Sequence, residues 1–197
     1  MSLDYILLGL LREPASGYDL KKVFDERISH FWAAELSQIY PTLRRIEKRG
    51  WIRGRQAAAR RGPGRRLYEI TPEGRRALRA WLRGEPQFGD ERFAYIAQLH
   101  LMDELGDLAQ TTRFVRRLRD QFTGKLGALR AIERDWAAAD PRYPDALPLQ
   151  EFHIQMTLRK GLLSLEAHVR WCDECLRRLR ARAPCTHRAT AGRPARR

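Results

Sequence analysis

No stretch of this 197-residue chain approaches the roughly 20 consecutive apolar residues needed to cross a bilayer. The short apolar run at the N-terminus is interrupted by Asp4 and has no basic segment before it, so it reads neither as an anchor nor as a secretion signal. Three cysteines, with Cys172 and Cys175 only three apart, make no disulfide framework in a chain of this size. Reduced thiols and a cytoplasmic location are the expectation. A glycine-rich phosphate loop, a His-Glu-x-x-His helix and a nucleophile elbow are all missing. With no catalytic constellation, the sequence points away from an enzyme and calls for no cofactor.

Acid is scarce in one place above all. Between Arg44 and Arg66 there are ten arginines and lysines against Glu47 alone. Residues 1–83 carry 18 basic and 9 acidic side chains, residues 84–180 carry 15 of each, and residues 181–197 carry 5 and none. The excess positive charge thus sits in the first part and in the tail, which suits a phosphate-bearing partner for those segments and not for the middle.

The basic stretch begins on a segment with helical periodicity. Leu36, Ile39, Leu43 and Ile46 recur as a buried stripe, Ser37 is the predicted N-cap, Pro41 falls in or near the first turn, and Gly50 is the stop. Gln38, Pro41, Thr42, Arg45, Lys48 and Arg49 are then predicted to project from the other side. In a helix-turn-helix, residues of the second helix meet base edges, where Gln can pair with adenine, Arg with guanine and a Thr methyl with thymine. Compensation of the helix dipole would explain Lys48 and Arg49, but not the six further cations after Gly50. Those lie on a predicted hairpin, 51–56 and 65–70, with Gly62-Pro63-Gly64 as its turn and Arg60, Arg61, Arg65 and Arg66 at or near the tip. Clustered guanidinium groups repel one another unless an anion is supplied, as phosphate or a minor groove would supply it.

Upstream, Leu3 to Leu11 reads as a mostly buried helix, and Ser16 with Asp19 has capping-box spacing for a second whose Leu20, Val23, Phe24 and Ile28 share a face. Downstream, Thr71 and Pro72 form an N-cap with N1 proline for a helix expected to bury Leu78, Trp81 and Leu82. Helix, helix, helix, hairpin, helix is the order of a winged helix-turn-helix. Leu8-Gly9-Leu10-Leu11, Gly17-Tyr18-Asp19-Leu20, Ser37 through Leu43 with Tyr40-Pro41 at its centre, Arg49-Gly50-Trp51-Ile52 and Arg66 through Gly74 together resemble the PadR family of bacterial transcriptional regulators. The resemblance covers roughly residues 1–83. It implies a homodimeric repressor whose winged domain binds operator DNA and whose helical C-terminal region dimerises. It also implies that the segment from Ser37 to Arg49, Tyr40 included, is the recognition helix and that Arg60 to Arg66 is the wing.

The fold expected is therefore mainly α: a winged helix-turn-helix domain over 1–84, a helical dimerisation or effector domain over 90–181, and a disordered basic tail over 182–197. Gly84 through Asp90 combines Gly, Pro and acid and marks the junction. Beyond it, one long helix is predicted to align Val115, Leu118, Phe122, Leu126, Leu129, Ile132 and Trp136, and a second Ile154, Leu158, Leu162, Leu165, Val169, Cys172, Leu176 and Leu179. The second series alternates by four and three like a heptad seam. Val115, Leu118, Phe122, Leu158, Leu162, Leu165, Val169 and Leu176 are accordingly expected to meet a second subunit, with packing inside one chain as the alternative. Trp136, Phe152, Met156 and Trp171 are candidates for a pocket that takes a small aromatic or hydrophobic effector, as aromatic surfaces do in some members of the family. His168, Cys172 and Cys175 at i, i+4 and i+7 could face one metal ion, but Cys172 lies on the seam and the only further ligands near in sequence are Cys185 and His187, so no metal site is assigned. Non-specific binding of double-stranded nucleic acid by an architectural protein is the alternative function, and a helical adaptor with an idle winged domain is a third.

Overall fold

The computed structural model describes residues 2–57, 65–89 and 92–182. The chain divides into two compact units, Met1–Asp90 and Glu91–Arg197. The expected wing tip with Arg60 and Arg61, and the expected tail beyond Arg182, lie outside the described residues.

In the first unit, α1 (Ser2–Leu10) precedes α2 (Gly17–Val23), which continues as a wider π-helical turn over Phe24–Ile28. The predicted capping box opens α2: the Asp19 N–H donates to Ser16 Oγ at 3.2 Å, and the Ser16 N–H to Asp19 Oδ2 at 3.0 Å. Leu20 and Phe24, one turn apart, are buried beside Leu7, Leu8 and Leu11 of the first helical segment.

Helix α3 (Leu36–Lys48) starts differently from the sequence expectation. Its N-cap is Glu35, not Ser37, and the Glu35 N–H donates to Gln38 Oε1 at 3.1 Å. A capping box needs an acid or amide at N3; Glu35 has Gln38 there, whereas Ser37 would have Tyr40. Ser37 therefore lies exposed in the first turn, and Pro41 in the second. Having no N–H, Pro41 cannot donate to the Ser37 carbonyl, and both residues are exposed, so the missing bond falls on the solvent side of the helix. Ile39, Leu43 and Ile46 are fully buried and set the rotation of the helix.

The end of α3 is a Schellman turn. Gly50 adopts φ 71, the Trp51 N–H reaches the Ile46 carbonyl at 3.0 Å and the Gly50 N–H the Glu47 carbonyl at 2.8 Å. The chain then enters β1 (Ile52–Ala57), antiparallel to β2 (Arg65–Ile70) with Ile52 opposite Ile70 and Ala57 opposite Arg65. Ala15 pairs with Tyr68 on the other edge of β2. Helix α4 (Pro72–Arg83) is capped by Thr71, as expected, whose Oγ accepts from the Gly74 N–H at 3.1 Å and donates to the Gly50 carbonyl at 2.7 Å. Trp81 stacks on Tyr5 at 5.0 Å, but Leu82, expected in the core, is 65% exposed and borders an open groove with Leu78 and Trp81.

The second unit comprises α5 (Ala94–His100), a 3-10 turn (Met102–Leu105), α6 (Leu108–Ala139) and α7 (Leu149–Arg182). The two long helices form an antiparallel hairpin, with Arg119 paired to Asp173 and Arg130 to Glu166. The seam assigned to a second subunit is used inside one chain. Val115, Leu118 and Phe122 pack with Leu176, Cys172, Leu165 and Val169, while Leu158 and Leu162 pack with Leu126 and Leu129. Helices joined by a short turn are already neighbours, so closing this contact costs little chain entropy. Ile132 and Ile154 stay exposed, as do Met156 and Leu163 on the other side of α7.

At Gly74 an added Cβ would stand 2.1 Å from the Trp51 carbonyl oxygen, an atom of the backbone that cannot swing aside. Gly74→Ala is expected to lower stability by about 1–3 kcal/mol, read as a fall in denaturation midpoint. An unchanged midpoint would contradict this account of the α4 start.

Candidate nucleic-acid interface

The polar face of α3 comprises Ser37, Gln38, Tyr40, Pro41, Arg44, Arg45, Lys48 and Arg49, all exposed. Thr42 does not belong to it. That residue is buried, with its Oγ accepting from Arg45 Nη2 at 3.3 Å, so its methyl is not available to a base. At 100° per residue Thr42 lies next to Ile46 at the edge of the stripe, whereas Arg44 lies beside Lys48 on the side opposite it. Arg44 therefore belongs to the polar face on helical geometry alone.

Arg45 and Arg49 are not loose side chains. Arg45 donates through Nε to Asp4 Oδ2 at 3.4 Å and through Nη2 to Asp4 Oδ1, and Arg49 donates through Nη1 to Asp4 Oδ2 at 3.3 Å. Asp4 is 1% exposed on α1, while the arginines are 46% and 40% exposed. Arg49 also lies over the Trp51 ring, 5.1 Å from its centroid. The Asp4 carboxylate, through its hydrogen bond first, keeps the Arg45 guanidinium's pKa above its ordinary value against the opposing effect of burial.

The hairpin is tied to the helices in the same way. Glu47 Oε1 accepts from the Gly54 N–H and from Arg66 Nη2, both at 2.8 Å, so one carboxylate of α3 fixes both strands. Arg65 lies 3.5 Å from Asp19 of α2, and Arg53 pairs across the ladder with Glu69 at 2.7 Å. That pair, through its hydrogen bond first, holds the Glu69 carboxyl below its usual pKa. Burial raises the Tyr68 hydroxyl, with Arg66, Tyr40 and Arg44 among the groups close enough to influence it. Helix and wing thus share one charged surface.

In the second unit the four expected effector residues are not brought together within the chain. Trp136 packs beside Leu126, Leu129, Leu158 and Leu162 and against Tyr143, whereas Trp171 belongs with Val115 and Cys172. Phe152 and Trp171 are separated by about 28 Å of helix at 1.5 Å per residue, and Met156 faces an open groove with Leu163. A cavity of about 230 Å³ lies elsewhere, lined by Leu99, Thr111, Val115, Cys175, Leu179 and two arginines, Arg178 and Arg182. Burial pushes the Cys172 thiol up to about 11, so it is protonated at neutral pH, and His168 stacks on Phe122 at 4.7 Å. Among the described residues no three His, Cys, Asp or Glu side chains are grouped to hold a metal ion, and Cys185 and His187 lie outside them. No helix among the described residues is long and apolar enough to cross a membrane.

Residues 6–80 match the model of the transcriptional regulator PadR-like family, and residues 92–180 that of the virulence activator alpha C-terminal region. The probable transcriptional regulator Rv1176c of Mycobacterium tuberculosis is 31% identical over 179 residues, spanning 86% of this chain and 92% of that protein. This chain belongs to the PadR-like family of transcriptional regulators. The negative transcriptional regulator PadR of Bacillus subtilis is 28% identical over 177 residues, 88% of this chain and 95% of its own. The crystal structure of that PadR with operator DNA resembles this chain with a TM-score of 0.78 at 26% identity, covering 90% of this chain and 97% of the other. Its complex with p-coumaric acid gives 0.72 at 25%, covering 91% and 99%.

The residues of this charged surface that sequence reasoning missed are Arg44, Glu47 and Asp4. The last two are partners of cations across 19 to 45 positions of chain, which local patterning does not connect. Asp19 gives a pH test of the surface. Its carboxyl is held below the ordinary value by the Ser16 hydrogen bonds first and by Arg65 further down, so its contribution exists above about pH 4 and is lost as pH falls through the lowered folded value. Asp19→Asn is expected to cost about 0.5–1 kcal/mol at pH 7 and to converge with the parent in acid. A difference that persists unchanged at pH 2 would contradict it.

Proposed function

We propose that this regulator binds operator DNA as a homodimer in the cytoplasm and represses transcription, and that a small aromatic or hydrophobic effector releases it. The observation that carries this reading is the exposed polar face of α3 set beside Arg65 and Arg66 by the shared Glu47 carboxylate. Gln38 uses its Oε1 on the Glu35 N–H and keeps its amide hydrogens for a base acceptor. Ser37, Tyr40, Pro41, Arg44 and Lys48 complete the face toward the groove, with Arg45 and Arg49 as guanine readers. Arg65 and Arg66 are assigned to phosphate, and Arg60 and Arg61 extend that assignment along the wing.

Dimerisation is assigned to the side of α7 that the intrachain hairpin leaves open, where Met156 and Leu163 flank a groove with Gln155, Arg159 and Ala167. Two α3 helices about 34 Å apart would then read successive major grooves of an inverted repeat. Repression and effector release are supported by the relative described as a negative regulator and solved with p-coumaric acid. The cavity between Leu99, Val115 and Leu179 is below the roughly 300–1,000 Å³ of drug-sized sites and suits a single-ring compound, with arginines at hand for a carboxylate.

Selection of bound fragments from random DNA is expected to return an inverted repeat with half-sites one turn apart. On that site Arg45→Ala should cost about 1–3 kcal/mol, while Arg66→Ala weakens all duplexes alike. A selected pool with no common sequence would instead support the architectural alternative, since both readings lose affinity with salt. Light scattering of Met156→Glu/Leu163→Glu is expected to show monomers; an intact dimer would place the interface elsewhere. Titration with phenolic acids is expected to change tryptophan emission and free the selected DNA, and silence across the panel would retire the effector.

A further inference from the structure

Among the described residues, Asp4 is the only buried carboxylate, and both of its cationic partners come from the face of α3 assigned to DNA. A charge removed from water is costly unless paired, and a well-packed apolar residue would stabilise an α1–α3 contact at least as well. Stability alone therefore does not explain an acid here. Its effect on the arginines is specific. Arg45 spends Nε and Nη2 on Asp4, with Thr42 as a second acceptor, and keeps Nη1; Arg49 spends Nη1, rests on Trp51 and keeps Nε and Nη2.

We propose that Asp4 is a positioning residue for sequence discrimination, holding the Arg45 and Arg49 guanidinium groups from beneath so that their remaining donors meet base edges instead of the nearest phosphate. The inference rests on the operator-binding reading. Two consequences follow from the chemistry. An arginine already ordered loses less side-chain freedom on binding, which favours the correct site. A carboxylate that offsets one positive charge lowers attraction to any duplex, which disfavours wrong sites. Both act in the same direction, on the ratio of specific to non-specific binding.

The test compares the full-length protein with Asp4→Asn, which keeps shape and removes charge, on the duplex selected by the wild type and on a shuffled duplex over a range of salt. The variant is expected to bind shuffled DNA more tightly, to steepen the salt dependence by about one phosphate contact (slope change near 0.9), and to lose about tenfold in the selected-to-shuffled ratio. In an Arg45→Ala/Arg49→Ala background, Asp4→Asn should leave that ratio unchanged. An unaltered ratio in the single variant, or equal weakening on both duplexes as from simple loss of structure, would overturn the proposal. If the wild type itself shows no sequence preference, the operator reading fails and this one with it. Should Asp4→Asn not fold, the wild type decides: the Arg45 Nε–Hε signal in DNA-free protein is expected to exchange slowly with solvent, and free averaging would overturn the assignment.

Discussion

A surface that must attract phosphate must first keep its own charges from driving it apart. In this chain that constraint is met by carboxylates placed under or between the arginines: Asp4 below Arg45 and Arg49, Glu47 beside Arg66, Asp19 near Arg65 and Glu69 opposite Arg53. Exposed ion pairs contribute little to stability. Their value here is geometric, because each acid belongs to a different element and together they hold helix α3 and the hairpin in one arrangement. Glu47 is the clearest case, since a single oxygen receives a backbone N–H of β1 and a guanidinium of β2.

Beneath the charges, apolar burial sets the orientation. Ile39, Leu43 and Ile46 admit no water, so α3 cannot roll, and the Schellman turn at Gly50 sends the chain into β1 at a defined angle. Thr42 is the residue that this rotation takes away from the outer face, and Arg44 the one it adds. A shift of one helical position between inside and outside is enough to exchange a base-reading candidate for a packing residue.

The second unit follows a different logic. Two long amphipathic helices need a partner for their apolar stripes, and the nearest one is the other helix of the same hairpin. Periodicity identified the stripes without saying which chain covers them, because a heptad seam looks the same in either case. What remains exposed after that pairing is a separate face with Met156 and Leu163.

Local signals were sufficient for much of the winged unit. The Ser16–Asp19 box, the Thr71-Pro72 start, Gly50 as a stop and the stripe of α3 each depend on residues within a few positions of one another, and the order of elements follows from them. The competition between Glu35 and Ser37 for the cap was also local, and was decided by which had a suitable N3 partner. Tertiary structure alone decided that Asp4 meets Arg45 and Arg49 across more than forty residues, that Glu47 spans the hairpin, and that the seam closes within one chain. Sequence by itself determined the helices, their faces and the excess of positive charge. Which acid neutralises which arginine depends on distances in space, and no periodicity records those.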